Sequence, residues 1–199
     1  MPKLIENAKE IILECADCEL AEKGYESLTI RSIADKCGIA VGTVYNYFHA
    51  KDEIVFFVMR RDWDSAMSRM SSIAEEAAVA SADGGAKLGA ETAVETLLEI
   101  LSRLHDFTSK YKSVWRLIAA APHDSKSDTV KAYNSSEFIA ALEAKIALVV
   151  SAAFGEGSQK ERYSDFLARF IMAAFTRFAM DDELEKDNLR RVLKNILQA

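Results

Sequence analysis

The chain has 199 residues, half of them hydrophobic and 28% charged, with a formal net charge of −6. That length and composition suit one large domain or a small one joined to a medium one, with a sizeable core and no wholesale disorder. Only eight glycines and two prolines argue against a sandwich or barrel, where turns recur every ~8–12 residues, and the Ala, Glu, Leu and Lys content predicts an all-α fold.

In chain order, Ile5, Ala8, Ile12, Ala16 and Leu20 recur at helical spacing until Gly24 breaks the run. Thr29 is placed to cap a short second helix with Ile30, Ile33, Ala34 and Cys37 inward, and Gly38 sits where a left-handed residue ends it. A third short helix fits Val41 to Phe48. Asp52 and Glu53 then favour the N-terminus of a long fourth helix running towards Ala80, and "SADGGAKLGA" over 81–90 interrupts it. A fifth helix carries Leu97, Leu98, Leu101 and Leu104, and "SVWRLIAAAP" reads as a sixth stopped by Pro122. After a polar stretch over 123–134 a helix continues to Phe154. Ser158 and Glu161 have the spacing of a capping box opening "RYSDFLARFIMAAFTRFAM". A last amphipathic helix carries Leu189, Val192, Leu193, Ile196 and Leu197, making about nine helices in all.

The N-terminus, charged from its third residue, has no signal-like apolar core, and no window offers the ~18 apolar residues of a membrane span. A cytoplasmic protein without a membrane partner is expected. Cys15, Cys18 and Cys37 are an odd set without a fourth zinc ligand nearby, so small-hydrophobe packing is favoured over a redox or metal sensor, and no metal or other cofactor is expected. The three histidines, His49, His105 and His123, lack metalloprotease spacing, and no nucleophile elbow is present, so no enzyme is expected.

Residues 28 to 53 admit three readings. A phosphate loop at Gly38-Ile-Ala-Val-Gly42-Thr43 fails, because three residues instead of four separate the glycines and no Lys follows. A plain helical bundle explains the apolar positions but leaves Thr43, Tyr45, Asn46, Tyr47, His49 and Lys51 crowded outward. A helix-turn-helix accounts for both sets, because its second helix enters the major groove with a polar face.

"LTIRSIADKCGIAVGTVYNYFHAKDEI", residues 28 to 54, resembles the helix-turn-helix of the TetR repressor family, and Gly24-Tyr25 extends the match to roughly the first quarter of the chain. The resemblance implies a three-helix DNA-binding head over 1–50 and a helical effector-binding and dimerisation body over 51–199. Carried over, it has Thr29 capping its helix and touching phosphate, and Arg31 near the backbone or a groove edge. Val41, Gly42, Tyr45 and Asn46 would face the bases, while Thr43, Tyr47 and Lys51 grip phosphates. Asn46 would pair with an adenine edge or only touch phosphate. Ala40 stands where many relatives carry a capping Ser or Thr, forgoing about 1 kcal/mol, and Ala50 replaces a common Ser. Glu19 stands at an often apolar position, either pairing with a base of the head or exposed.

Residues 27–51 hold Arg31, Lys36 and Lys51 against Asp35 alone, a local charge of +2, so the remainder carries −8. Few counterions are then released per head, and affinity requires two heads on one duplex. Phe166, Leu167, Phe170, Ile171, Ala173, Ala174, Phe175 and Phe178 cover more than one helix face, which predicts burial on two sides. The expected homodimer interface is Phe166, Phe170, Ala174, Phe178, Leu189, Val192 and Ile196, placing the heads about 34 Å apart or wider on a palindromic double-stranded DNA operator. Trp63, Met67, Met70, Leu101, His105, Trp115, Phe138 and Phe175 are core residues or the lining of a pocket for an unidentified small molecule, apolar or drug-like. The expected function is a ligand-released dimeric repressor; a helical protein-interaction adaptor without sequence-specific DNA binding is the alternative.

Overall fold

The computed structural model describes residues 7–82, 87–114, 135–154, 163–180 and 186–198, with the side chains of 81, 82, 135–138, 177–180, 186 and 198 left aside. The continuation of the sixth expected helix through Trp115 to Pro122, His123, and the capping box Ser158–Glu161 lie outside the described residues, as do the side chains of Phe138 and Phe178. The described residues form no strand and eight helices, α1 (Ala8–Ser27), α2 (Ile30–Cys37), α3 (Val41–Tyr45), α4 (Lys51–Ala82), α5 (Ala90–Lys110), α6 (Ser135–Phe154), α7 (Ser164–Met180) and α8 (Lys186–Gln198), besides a helical start over 112–114. None of them is long and apolar enough to cross a membrane. The all-α expectation holds.

The chain divides into two compact units. One takes the described residues up to Asp64 together with 110–114, and the other Ser65–Ser109 and the described residues from 135 on.

In the first unit, Ala8, Ile12, Ala16 and Leu20 form the buried stripe of α1, as their spacing requires. The helix breaks at Gly24, whose φ of +72° is a conformation that a Cβ disfavours. Leu28, Ile33, Ala34, Val44 and Phe48 close this core, and its packing runs on past Lys51 through Ile54, Val55 and Val58 of α4. Ile30 and Cys37, expected inward, are only half-buried. The third helix ends at Tyr45 rather than Phe48, because the amides of Asn46 and Tyr47 bond three residues back, to Thr43 and Val44, and tighten the last turn.

Glu19 takes the first of its two expected alternatives. It is 2% exposed, lies 2.9 Å from the Lys23 ammonium and 3.7 Å from that of Lys36. The Lys23 hydrogen bond outweighs burial and holds its carboxyl below the ordinary 4.5. A depressed folded-state value stabilises the fold above pH 4.5 and ceases to do so as pH falls through that lower value. Glu19→Gln should therefore destabilise the protein near neutrality, with the difference shrinking in acid. Urea melts of both proteins across that range check it.

A second polar cluster ties α1, α4 and the end of α5. The Asp17 carboxylate accepts from Arg61 at 3.0 Å and from Lys110 at 2.8 Å, and Asp62 accepts from Lys110 at 2.6 Å and from the Tyr111 hydroxyl at 2.7 Å. Tyr111 is fully buried, and burial followed by the Asp62 bond pushes its phenol well above 10. Burial alone would lower Lys110, but its two carboxylates raise it overall.

The second unit is an apolar helix pack. Ala93, Val94, Leu97, Ile100, Leu101 and Leu104 of α5, Leu142, Ile146 and Val150 of α6, Ile171, Met172 and Phe175 of α7, and Leu193 and Leu197 of α8 are buried. Surface pairs Lys145–Glu75, Arg190–Glu95 and Lys194–Glu91 lie at 3.0, 2.6 and 2.8 Å.

Candidate nucleic-acid interface

Local chemistry sets the geometry of α2 and α3. Thr29 is extended (φ −136°, ψ 155°) and its Oγ1 accepts from the Ser32 amide at 3.0 Å, while the Ser32 Oγ accepts from the Thr29 amide at 3.1 Å. This reciprocal cap is the N-cap expected at Thr29, with Ser32 serving where Glu or Gln is usual. At the other end Gly38 is left-handed (φ +67°), its amide bonding to the Asp35 carbonyl at 3.2 Å and that of Ile39 to the Ala34 carbonyl at 3.0 Å. The two bonds make a Schellman motif, which turns the chain sharply into α3. Ala40 precedes α3 without a side-chain cap, as the sequence implies.

Val44 and Phe48 point inward, completely buried, and fix the rotation of the third helix. Its opposite face presents exposed Gly42, Tyr45 and Asn46 and half-exposed Val41, Thr43 and Tyr47. No atom lies within 4 Å of where a Cβ at Gly42 would stand, so that side of the backbone is open to an approaching surface.

Thr29, Arg31, Val41, Tyr45 and Lys51, five of the nine residues expected at DNA, line one groove of about 540 Å³ with Glu26, Leu28, Ile30, His49 and Ala50. Gly42, Thr43, Asn46 and Tyr47 are outside its lining. The Lys51 ammonium lies 3.2 Å from both the Tyr25 and Leu28 carbonyls and 4.3 Å over the Tyr25 ring. The Tyr25 hydroxyl in turn donates to Asp52, and burial together with that carboxylate raises its phenol above the usual 10. Lys36, counted among the head's cations, bonds instead to Glu22 at 2.6 Å, which is the chief reason its pKa rises.

Sequence reasoning passed over Glu26, and it named Tyr25 only as part of the resemblance and His49 only as an outward residue, giving neither a place in the site. Tyr25 and Glu26 stand in the short last turn of α1 beyond the kink at Gly24, which breaks the periodicity that would assign them a face. His49 belongs to the turn before α4, its amide donating to Glu53 at 2.8 Å.

The residues proposed for a ligand pocket fall in both units. Trp63, 7% exposed, belongs to the first. Met70, Leu101 and Phe175 are buried core of the second, Met67 is half-buried, and half-buried His105 has its Nε2 3.5 Å from Ser109 Oγ. On α7, Phe166 and Phe170 are 65% and 52% exposed and Ala174 is half-buried; on α8, Val192 is 49% exposed, with Leu189 and Ile196 half-buried.

Residues 12–57 match the sequence profile of the family described as bacterial regulatory proteins, tetR family. The transcriptional regulator HbdR of an Aromatoleum species is 34% identical over 64 residues, 32% of this chain and 28% of that protein. The transcriptional repressor KstR2 of Mycobacterium tuberculosis is 36% identical over 67 residues, 34% of each chain. The chain thus spans about a third of the length of these curated relatives. A TetR-family regulator from Mesorhizobium loti superposes with a TM-score of 0.66, covering 96% of this chain and 93% of that one at 17% identity, a likeness of fold.

Proposed function

Because residues 12–57 match the TetR family of bacterial regulatory proteins, we propose that the chain is a cytoplasmic, dimeric repressor whose heads grip a palindromic operator and release it when a small molecule binds the body. The working division is a head over 1–50 and a body over 51–199. The observation that carries the reading is the groove beside α3, in which Thr29, Arg31, Tyr45 and Lys51 converge next to the open backbone at Gly42. Val41, Gly42, Tyr45 and Asn46 would meet base edges, and Thr29, Thr43 and Tyr47 phosphates. Among the described residues no ion pair holds Arg31, whose charge would approach the backbone or a groove edge. The effector would lie among the residues of α4 to α7, with Met70, Leu101 and Phe175 as its apolar floor. A ligand that prefers the non-binding head spacing a hundredfold supplies about 2.7 kcal/mol for release.

Selection from random duplexes at low and moderate salt tests this. A retained palindrome supports it; binding that salt erases without sequence preference favours the protein-interaction adaptor. Lys51 is a poor probe, because its removal also frees the Tyr25 and Leu28 carbonyls. Arg31 is the cleaner one. Arg31→Ala should weaken binding on every sequence and lower the slope of log affinity against log salt by about 0.9 per head. Titration of the selected duplex at several salt concentrations reads both.

A further inference from the structure

Two cysteines with no part in the DNA-facing groove meet where α1 packs on the end of α2. Cys37 is the last residue of α2, directly before left-handed Gly38, and its thiol lies 3.8 Å from the Ile11 carbonyl of α1. In a helix that carbonyl accepts from the amide four residues on, which is that of Cys15, so the Cys37 sulfur stands beside Cys15. Both residues are half-buried. Cys18, one turn along α1, is exposed, and all three thiols are free. Among the described residues no three His, Cys, Asp or Glu side chains are grouped to hold a metal ion, so the geometry offers the chemistry of a pair.

We propose that Cys15 and Cys37 form an oxidisable dithiol, closed by a hydroperoxide into a disulfide that staples α1 to the end of α2. Burial, with the neighbouring Cys15 thiol, pushes Cys37 up to about 12, so at neutral pH it is a thiol and a poor first nucleophile. Cys15 takes the first step. Its thiolate sulfur attacks the hydroperoxide, the O–O bond breaks with two electrons passing from sulfur, and a sulfenic acid forms as an alcohol, or water from hydrogen peroxide, departs. The Cys37 sulfur then attacks the Cys15 sulfur. The S–S bond forms, the S–O bond breaks, and the departing hydroxide leaves as water with the Cys37 proton. Two thiols and one hydroperoxide thus give one disulfide, one alcohol and one water. The bond fixes α2 against α1 at the residue that leads into the turn, and a reducing compartment reopens it. Nothing in this depends on the protein's binding DNA.

The test uses the full chain, reduced, freed of reductant and exposed to hydrogen peroxide. Remaining thiols are then blocked with iodoacetamide, and the protein is digested with trypsin without reduction. Mass spectrometry should find the peptide 10–23 joined to 37–51, with two of three thiols lost per chain and recovered by dithiothreitol. Fragmentation of the joined peptide should place the bond at Cys15. Cys18→Ser should keep the cross-link, whereas Cys15→Ser and Cys37→Ser lose it. A bond between Cys18 residues of two chains, a Cys15–Cys18 bond, or oxygen added to unlinked thiols would overturn the proposal. The wild-type fragmentation decides even where a variant fails to fold.

Discussion

Phe166→Asp combined with Phe170→Asp should turn a dimer into a monomer and weaken operator binding about 10²–10⁴-fold, the effective-concentration advantage lost when two heads are uncoupled. Both rings point away from the α7 face that carries Ile171, Met172 and Phe175 into the core, and they are 65% and 52% exposed. Tyr163, just before α7 and 53% exposed, and Val192 of α8 add to the exposed apolar residues beside them. Burying a phenylalanine is worth about 1.5–3 kcal/mol, and a twofold axis counts each ring twice. Aspartates in their place would set like charges across that axis. The folded chain itself should be little affected, because neither ring contributes to its own core. Light scattering gives the mass, and a thermal melt verifies the fold. A variant that stays dimeric places the interface elsewhere.

Phe48→Ala should be the most damaging single change in the head, costing about 3–5 kcal/mol. The ring is wholly buried, packs edge-on to Phe57 with centroids 5.8 Å apart, and has the Lys9 ammonium 5.8 Å over it. It lies three residues beyond the end of α3 and, with Val44, sets that helix's rotation. A cavity there both removes apolar burial and frees the outward face of α3 to turn. Against a total stability of ~5–15 kcal/mol, the loss is a large share. Denaturant melts give the energy, and hydrogen exchange over 28–58 should rise well above that of α5 to α8. Equal protection in variant and wild type would mean that the site collapses around the gap.

The parts of this structure legible in the sequence were those decided by local chemistry. The stripe Ala8, Ile12, Ala16 and Leu20 needs only the helical period, and the caps at Thr29 and Gly38 need only a hydroxyl and a missing Cβ. The double apolar character of α7 was readable for the same reason, though not which half faces inward: that depends on α6, which packs against it. Glu19 was ambiguous because Lys36, one of its two ammonium partners, comes from another helix. Lys51 was readable as a cation but not as a clamp, since its carbonyl partners lie 23 and 26 residues away. The early end of α3 had no signal at all, because nothing in Tyr45-Asn46-Tyr47 forbids another helical turn. For Met70, Leu101 and Phe175, burial is what both a core and a ligand floor require.

The way each lysine is held also determines what a distant polyanion meets. Lys36 is bonded to the Glu22 carboxylate with Glu19 close by, so its positive charge is cancelled within a few ångströms. Lys51 is held by two carbonyls and a ring face. Dipoles orient an ammonium without neutralising it. Among the residues lining the groove, Arg31 and Lys51 are positive and Glu26 is negative. A duplex that comes within about a Debye length of the groove would be steered by that small imbalance, and its arrival rate, more than its residence time, should respond to dilute salt.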